Sequence, residues 1–561
     1  MKKITIVAIL GLIILLGIIT RFYKLGEAPA GLYLDEAGQG YSAYSILKTG
    51  KDEFGKPFPI VFRSFVDFKT PVYIYILVPL IPIFDLTKFT VRLPSFIFSI
   101  LTLPLIYLLL KEITPKKIAK SLSLVTALLL AISPWHILFG RTNFECNVAL
   151  FFFLAGVYFF YKGLKKPVVL LASALLFALA IPTYHAQRVV TPLIMLALFV
   201  RHRKKLLDSK HRRFLYIGMV IGILISIPTL SVAFTPGFLA RASGLNIFSH
   251  LRQMPAGFIA NYQGVFGWLI NNPFFLSVRE FFSLYVSYFS PRHMFVLGDY
   301  GPRSSFPGLS TFFIWQFPFY LYGLYLLIKN KNLKEVRFFT LALLLIAPLP
   351  AAVTRDPYSS IRALQMVIPQ LIVISLGIIY FLKHIKQLVR AHTKLFRAGV
   401  IIFSTLIIMY SVAKLYSSVI VLNEYFRAKV WHYGWEEVAE TLKELDPSLP
   451  VVVDSARSEP YSQLFFFLKF DPETYQKENK EVELSEYYTN MERLDIRKIG
   501  NVTTRAINWK PDLKIEQYLV GDALAISEQQ IEVHNLELVK EITYPDSSVA
   551  FRIVKTNPIK K

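Results

Sequence analysis

Two adjacent carboxylates, Asp35 and Glu36, stand in Gly31-Leu-Tyr-Leu-Asp-Glu-Ala-Gly-Gln-Gly-Tyr41, directly after the first apolar run of the chain. Charges at a membrane edge are costly to keep there, so they are candidates for function by default. A carboxylate in such a place can take the proton of an attacking hydroxyl. The plain alternative is a solvated loop pair, or the N-cap of a short helix over 37–47, where the helix dipole favours negative charge. Further polar groups recur along the chain: Arg141 with Glu145; Tyr184, His185 and Arg188; Arg292, His293, Asp299 and Arg303; Arg355, Asp356 and Arg362. Each has its own plain reading. Arg141 and Glu145 fit an i, i+4 pair closing a helix end. Arg188 and Arg362 fit interfacial anchors that snorkel. His185 fits a hydrogen-bonded loop residue, and 298–308 is rich in turn formers. Taken together, an acidic pair and several arginines suit an anionic lipid headgroup, because arginine holds phosphate bidentately and stabilises it as it leaves.

The elements that must position these residues are membrane helices. Of the 561 residues 54% are hydrophobic and 18% charged, against about 25% charged in soluble domains. Apolar runs at 4–20, 92–110, 121–139, 147–161, 167–183, 189–200, 214–233, 311–328, 338–353, 363–382 and 398–417 read as about eleven spans. Pro71–Phe84 is shorter and holds Pro71, Pro79 and Pro82, so it reads as an interfacial or re-entrant helix. With that segment left out, the Lys- and Arg-dense loops 111–120, 162–166, 201–213, 329–337 and 383–397 all fall on the side of the N-terminus, which the positive-inside rule makes cytoplasmic. Met1-Lys2-Lys3 and the run Ile4–Ile19 read as a retained first helix in preference to a cleaved secretory signal ending at Ala28-Pro29-Ala30.

This topology puts the loops 21–91 and 234–310, and every reactive candidate, on the extracytoplasmic face of a multi-pass cell-membrane protein. Residues 1–420 form the membrane part. Residues 425–561 carry 18 Lys and Arg against 23 Asp and Glu, so the chain before them holds the whole positive excess of the net +24. Because that excess sits in short loops between apolar runs, it reports topology and excludes a nucleic-acid-binding face. The C-terminal segment reads as a small soluble α/β domain outside the membrane. It has a helix to about Leu445 and β-like runs at Val451–Val453, Leu464–Leu468, Ile515–Val520 and Val549–Val554. The single cysteine, Cys146, excludes an intrachain disulfide and a thiolate metal cluster.

The order of residues resembles the GT-C-fold glycosyltransferases that use polyprenyl-phosphate sugars: the protein O-mannosyltransferases (glycosyltransferase family 39) and the aminoarabinose transferases of lipid A. The matching residues are Leu34-Asp35-Glu36 with Gly38 and Tyr41; Gly50 and Pro57; Phe68-Lys69-Thr70-Pro71 with Tyr73 and Tyr75; and Val91-Arg92-Leu93-Pro94-Ser95. They continue with Ser133-Pro-Trp-His136, Arg141 and Glu145; Ser290-Pro-Arg292, Phe295 and Gly298-Asp299; and Thr354 to Arg362. The resemblance covers about residues 1–420.

It implies a polyprenyl-phosphate sugar donor, an acceptor hydroxyl on a protein, glycan or lipid, and a single inverting displacement with Asp35 as general base. Glu36 would orient the site. Lys69, Arg141, Arg188 and Arg362 become candidates for phosphate contacts, and Glu145, Tyr184, His185 and Arg303 for further substrate contacts. Glu145 stands where the family more often has Asp. Phe68 stands where the residue before the lysine is often acidic, which weakens the case for the divalent metal seen there in some relatives and leaves metal use open. The alternative is a transporter or lipid flippase, expected to put ionisable groups near mid-membrane within internal repeats. A non-catalytic scaffold displaying the C-terminal domain would not depend on Asp35.

Overall fold

The computed structural model describes residues 3–64, 67–239, 272–391, 394–478, 482–490 and 496–558, with Val265, Glu492 and Leu494 besides. Most of the loop expected at 234–310 between residues 240 and 271 lies outside the described residues. In chain order the main elements begin with α1 (Lys3–Phe22), α2 (Leu34–Thr49), a hairpin of β1 (Phe62–Ser64) and β2 (Asp67–Lys69), α3 (Pro71–Leu77) and α4 (Ile81–Phe84). Then come α5 (Lys88–Ile113), α6 (Lys116–Ala131), α7 (Pro134–Arg141), α8 (Glu145–Gly163), α9 (Leu170–Thr183), α10 (Gln187–Leu206) and α11 (Ser209–Ser231). After α12 (Pro273–Ser287) follow α13 (Phe317–Lys329), α14 (Lys334–Ile346), α15 (Val367–Ala391) and α16 (Lys394–Tyr416). The C-terminal part holds α17 (Trp435–Glu444), β3 (Val451–Val453), α18 (Pro460–Leu468), β4 (Arg497–Ile499), β5 (Val502–Thr504), β6 (Tyr518–Gly521), β7 (Glu537–Thr543) and β8 (Val549–Lys555).

These elements fall into two compact units. One comprises 1–23, 95–233 and 239–419; the other 24–94, 234–238 and 420–561.

In the first unit the expected apolar runs lie largely in helices, but 121–139 is broken at 132–133, 338–353 at 347–348, and 311–328 is helical only from 314. Among the described residues seven helices are long and apolar enough to cross a membrane, or eight if α6 and α7, bent by 57° to one another, are one span. Pro167–Thr183 is a shorter apolar helix, and α10 ends in the basic run Arg203 to Lys205. The bend between α6 and α7 follows from Pro134. It cannot donate the next helical hydrogen bond, so a new helix starts there, with Ser133 Oγ accepting from His136 N. Inside the bundle, polar side chains pair across helices: Thr126 on α6 donates to Ser375 on α15 at 2.9 Å. Where lipid or protein surrounds a hydroxyl, such pairing avoids an unsatisfied polar group.

The second unit joins the segment after α1 to the C-terminal residues. Its sheet has the order β4-β5-β3-β6-β8-β7, with β3 parallel to β5 and β6 and the remaining pairs antiparallel. The core on one face of that sheet contains Val451, Val453, Leu464, Phe465, Tyr475 and Val520, and it also takes in Tyr41 from α2. The Tyr41 ring stacks on Phe465 with centroids 4.5 Å apart, and its hydroxyl donates to Phe470 O at 3.0 Å. The run Leu464–Leu468, expected as β-like, is part of helix α18. Pro460 sits in its first turn and the apolar residues are buried, and a short continuous apolar run does not distinguish a buried strand from a buried helix. Pro71–Phe84 forms the two short helices α3 and α4, seven and four residues long, neither long enough to cross a membrane.

Candidate active site

Helix α2 begins at Leu34, so Asp35 and Glu36 occupy its first turn, where exposed N–H groups and the dipole favour carboxylates. The two side chains part company from there. Glu36 points inward and is fully buried. Its Oε2 accepts from Tyr33 N at 3.0 Å, which caps the helix from within. Both of its oxygens also receive Arg92, Nε to Oε1 at 3.1 Å and Nη2 to Oε2 at 3.0 Å. Arg92 is itself buried, and its remaining donors bind the carbonyls of Leu25, Pro29 and Gly31 at 3.2, 3.0 and 2.6 Å. One guanidinium thereby fixes the loop leading into α2 and the turn that carries Asp35.

Asp35 is the accessible member of the pair, with 17% of its side chain exposed, and it forms an ion pair with Lys69 Nζ. Lys69 is placed by the β1–β2 hairpin, in which it pairs with Phe62, and Pro71 opens α3 two residues later. Phe68 is buried, its ring 6.0 Å from that of Tyr487 and 6.2 Å from that of Tyr488. The position before Lys69 is therefore a core position. Among the described residues no group of three or more His, Cys, Asp or Glu is placed to hold a metal ion.

Beside this turn stands His432, whose ring packs edge-on against Tyr33 at 5.6 Å. Burial lowers its pKa, while the charge of Asp35 acts in the opposite direction. His432, like Arg92, is a residue of this site that the sequence alone did not single out as one. The available signal was Arg92 within the quoted run 91–95 and the aromatic run Trp431 to Trp435.

The other candidates lie in the first unit. Arg141 ends α7 and Glu145 begins α8, so they are not an i, i+4 pair on one helix. Thr142 and Phe144 between them are extended, and the Thr142 hydroxyl bonds Leu138 O at 2.9 Å, in competition with continued helix. Arg141 is buried and donates to the carbonyls of Thr20 and Arg21 at 3.2 and 3.1 Å. Arg21, which the sequence reading passed over, is buried too. It caps the broken end of α6, donating to Leu130 O at 3.0 Å, Ala131 O at 2.8 Å and His136 Nδ1 at 2.9 Å.

Tyr184 and His185 fall between α9 and α10, their rings 6.2 Å apart, with Arg188 at the start of α10. Arg303 is half-buried in the 298–313 segment. Arg362 binds Asp356 and donates to Thr354 Oγ1 at 2.9 Å. Asp299 ties these last two segments together. Its Oδ2 accepts from Ser360 N and Oγ at 2.6 and 2.8 Å and its Oδ1 from Gly301 N at 2.7 Å, while burial raises its pKa. The structure thus brings Asp35, Glu36 and Lys69 together in one unit. It sets Arg141, Arg303 and Arg362 on three separate elements of the other.

Residues 68–231 match the sequence model of a family described as dolichyl-phosphate-mannose-protein mannosyltransferase. That match indicates a glycosyltransferase. No curated protein matches the chain. Among solved structures, ArnT from Cupriavidus metallidurans bound to undecaprenyl phosphate aligns over 100% of both chains at 12% identity, with a TM-score of 0.53. The same protein in the apo state aligns over 98% of both at 12% identity and a TM-score of 0.50. AglB from Archaeoglobus fulgidus, an oligosaccharyltransferase, aligns over 98% of this chain and 74% of its own at 14% identity and a TM-score of 0.49. The fold of this chain is GT-C-like, and the chain is a multi-pass membrane protein.

Proposed function

We propose that the chain is an inverting membrane glycosyltransferase that moves a sugar from a polyprenyl-phosphate donor to an acceptor hydroxyl on the extracytoplasmic face. The observation that carries this reading is the division of labour between the two carboxylates. Asp35 is partly exposed and ion-paired with Lys69, whereas Glu36 is fully buried and bound by Arg92 and Tyr33 N. An accessible carboxylate on a rigid helix turn is suited to take a proton. In the proposed step the acceptor oxygen attacks the anomeric carbon and its proton passes to Asp35. The carbon–oxygen bond to the phosphate breaks, and the bonding pair leaves with the lipid phosphate. Lys69 neutralises Asp35 in the absence of donor; a donor phosphate would compete for the ammonium and leave the carboxylate free to act.

Arg141, Arg188, Arg303 and Arg362 are proposed phosphate contacts, and Glu145, Tyr184 and His185 are proposed contacts to the sugar or its headgroup. Glu36 is proposed to orient the site. ArnT, of the same fold, binds undecaprenyl phosphate, which supports a lipid-phosphate donor here. The proposed topology has about eleven spans with the N-terminus inside, a membrane catalytic domain over 1–420, and the domain 425–561 outside. It is supported by the alternation of basic loops.

The test is transfer from a labelled polyprenyl-phosphate hexose by the purified full chain. Asp35→Asn is expected to lower transfer about 100- to 10,000-fold while the melting temperature stays close to the parent's. Transfer at the parental rate by a folded Asp35→Asn protein would refute the role of Asp35.

A further inference from the structure

Three membrane helices of the first unit leave a groove of about 600 Å³ between them. Its walls are apolar: Leu12 and Ile13 from α1, Leu124 and Leu128 from α6, Ile379 and Leu382 from α15. The polar lining is confined to Ser121, Lys383 and Lys386. These come from matching ends of two helices. Ser121 follows Lys116, Lys117 and Lys120 at the start of α6, and Lys383 and Lys386 lie toward the end of α15. Lys383 Nζ rests 4.6 Å from the centre of the Tyr380 ring, which holds its ammonium against the helix surface. A long apolar trough with cationic groups at one end is complementary to an amphiphile with one anionic head. Leu12, Leu128 and Leu382 remain open on its walls, so the trough is there to be filled by a chain from the bilayer.

We propose that this groove is a binding site for an anionic phospholipid, with an acyl chain along α1, α6 and α15 and the headgroup phosphate on Lys383 and Lys386. It is separate from the proposed chemistry. Helix α6 runs from its lysines at the groove's polar end to Ala131, and Arg141 follows beyond the bend, so the lysines and Arg141 belong to opposite ends of the α6–α7 pair. The proposal depends on the chain spanning a membrane and not on sugar transfer, so it stands or falls independently of Asp35.

The test is native mass spectrometry of the full chain in detergent, with phosphatidylglycerol and phosphatidylcholine of the same acyl composition. Two lysines near a surface phosphate favour the anionic lipid by about 30-fold, and the parent is expected to retain phosphatidylglycerol with that order of preference. The double variant Lys383→Gln/Lys386→Gln, checked for an unchanged melting temperature without lipid, is expected to lose the preference. A second variant, Leu128→Trp, is expected to fill the trough and reduce retention of both lipids. Equal retention of the two lipids by the parent would overturn the proposal, as would an undiminished preference in the double variant. Displacement of bound phosphatidylglycerol by polyprenyl phosphate at equal concentration would also overturn it, by assigning the groove to the donor lipid.

Discussion

The guanidinium of Arg92 on α5 grips both oxygens of Glu36 on α2, at 3.1 and 3.0 Å, with neither side chain exposed to solvent. The same guanidinium holds three carbonyls of the loop between α1 and α2. The pair is buried and satisfied, so its value lies in geometry: it defines where the first turn of α2, and with it Asp35, stands.

Breaking that pair from one side leaves a buried charge without its partner, which costs about 3–5 kcal/mol. Glu36→Gln is therefore expected to lower the melting temperature and raise protease sensitivity of the purified chain, and to lower transfer with it. Replacing both residues with an apolar pair, Glu36→Leu/Arg92→Met, is expected to recover part of the stability but not the transfer, since the loop carbonyls of Leu25, Pro29 and Gly31 lose their donor. Equal stability of Glu36→Gln and the parent would contradict the ion pair.

Asp35→Asn and Lys69→Met separate base from neutralising partner. Loss of a general base costs about 100- to 10,000-fold in rate, and that range is expected for Asp35→Asn at saturating donor. Lys69→Met removes a phosphate contact in the proposed mechanism, so it is expected to raise the KM for donor more than it lowers kcat. The check is steady-state transfer with donor concentration varied, alongside thermal unfolding of each variant.

Gly31 lies four residues before Asp35, and a Cβ there would sit 1.9 Å from the carbonyl oxygen of Trp431. That neighbour is backbone and cannot rotate away. Gly31→Ala is expected to force the chains apart and cost about 1–3 kcal/mol or more, as overpacking does. It should also disturb the Arg92 bond to Gly31 O. A melting temperature equal to the parent's would show that the two strands of chain are not in contact.

A second carboxylate pair, Asp52 and Glu53, is expected to contribute to the pH dependence of the second unit. Tyr487 donates its hydroxyl to Asp52, and Ser42 Oγ donates to Glu53 Oε2 at 3.0 Å. Burial pushes Asp52 up to about 7, and burial with the neighbouring Asp52 charge pushes Glu53 up to about 8. Both folded-state values lie above the ordinary ones near 4, so the folded unit binds more protons than the unfolded chain in between. The stabilisation is complete below about pH 4 and is lost as pH rises through about 8. The contribution of this pair is expected to shift the melting curve to lower temperature from pH 5 to pH 8, against the opposite contribution of His432, and Asp52→Asn is expected to remove that downward component. An unchanged pH profile in Asp52→Asn would rule out Asp52 as its source.

Much of the first unit is legible in the residues themselves. An apolar run long enough for a bilayer must close its own backbone hydrogen bonds, so helix is expected there, and the runs lie largely in helices, with breaks at 132–133 and 347–348. Pro71 opens the first helix of the Pro71–Phe84 segment, and Pro79 and Pro82 fall where it breaks into two short ones. The Asp35-Glu36 turn, too, is written locally: an acidic pair at the start of a helix.

What the linear order does not contain is which carboxylate is spent. Glu36 and Asp35 are chemically alike and adjacent, and the arrival of Arg92, 56 residues on, accompanies the full burial of one while the other stays partly exposed. The arrival of Trp431 beside Gly31 and of Phe465 beside Tyr41 likewise makes the segment after α1 part of the same compact body as the C-terminal residues. Composition reports burial in bulk, and periodicity reports one face of one element. Neither carries the long-range packing that desolvates a particular charge, which is why the candidate residues could be listed from sequence while the burial and partners of each were decided by the tertiary fold.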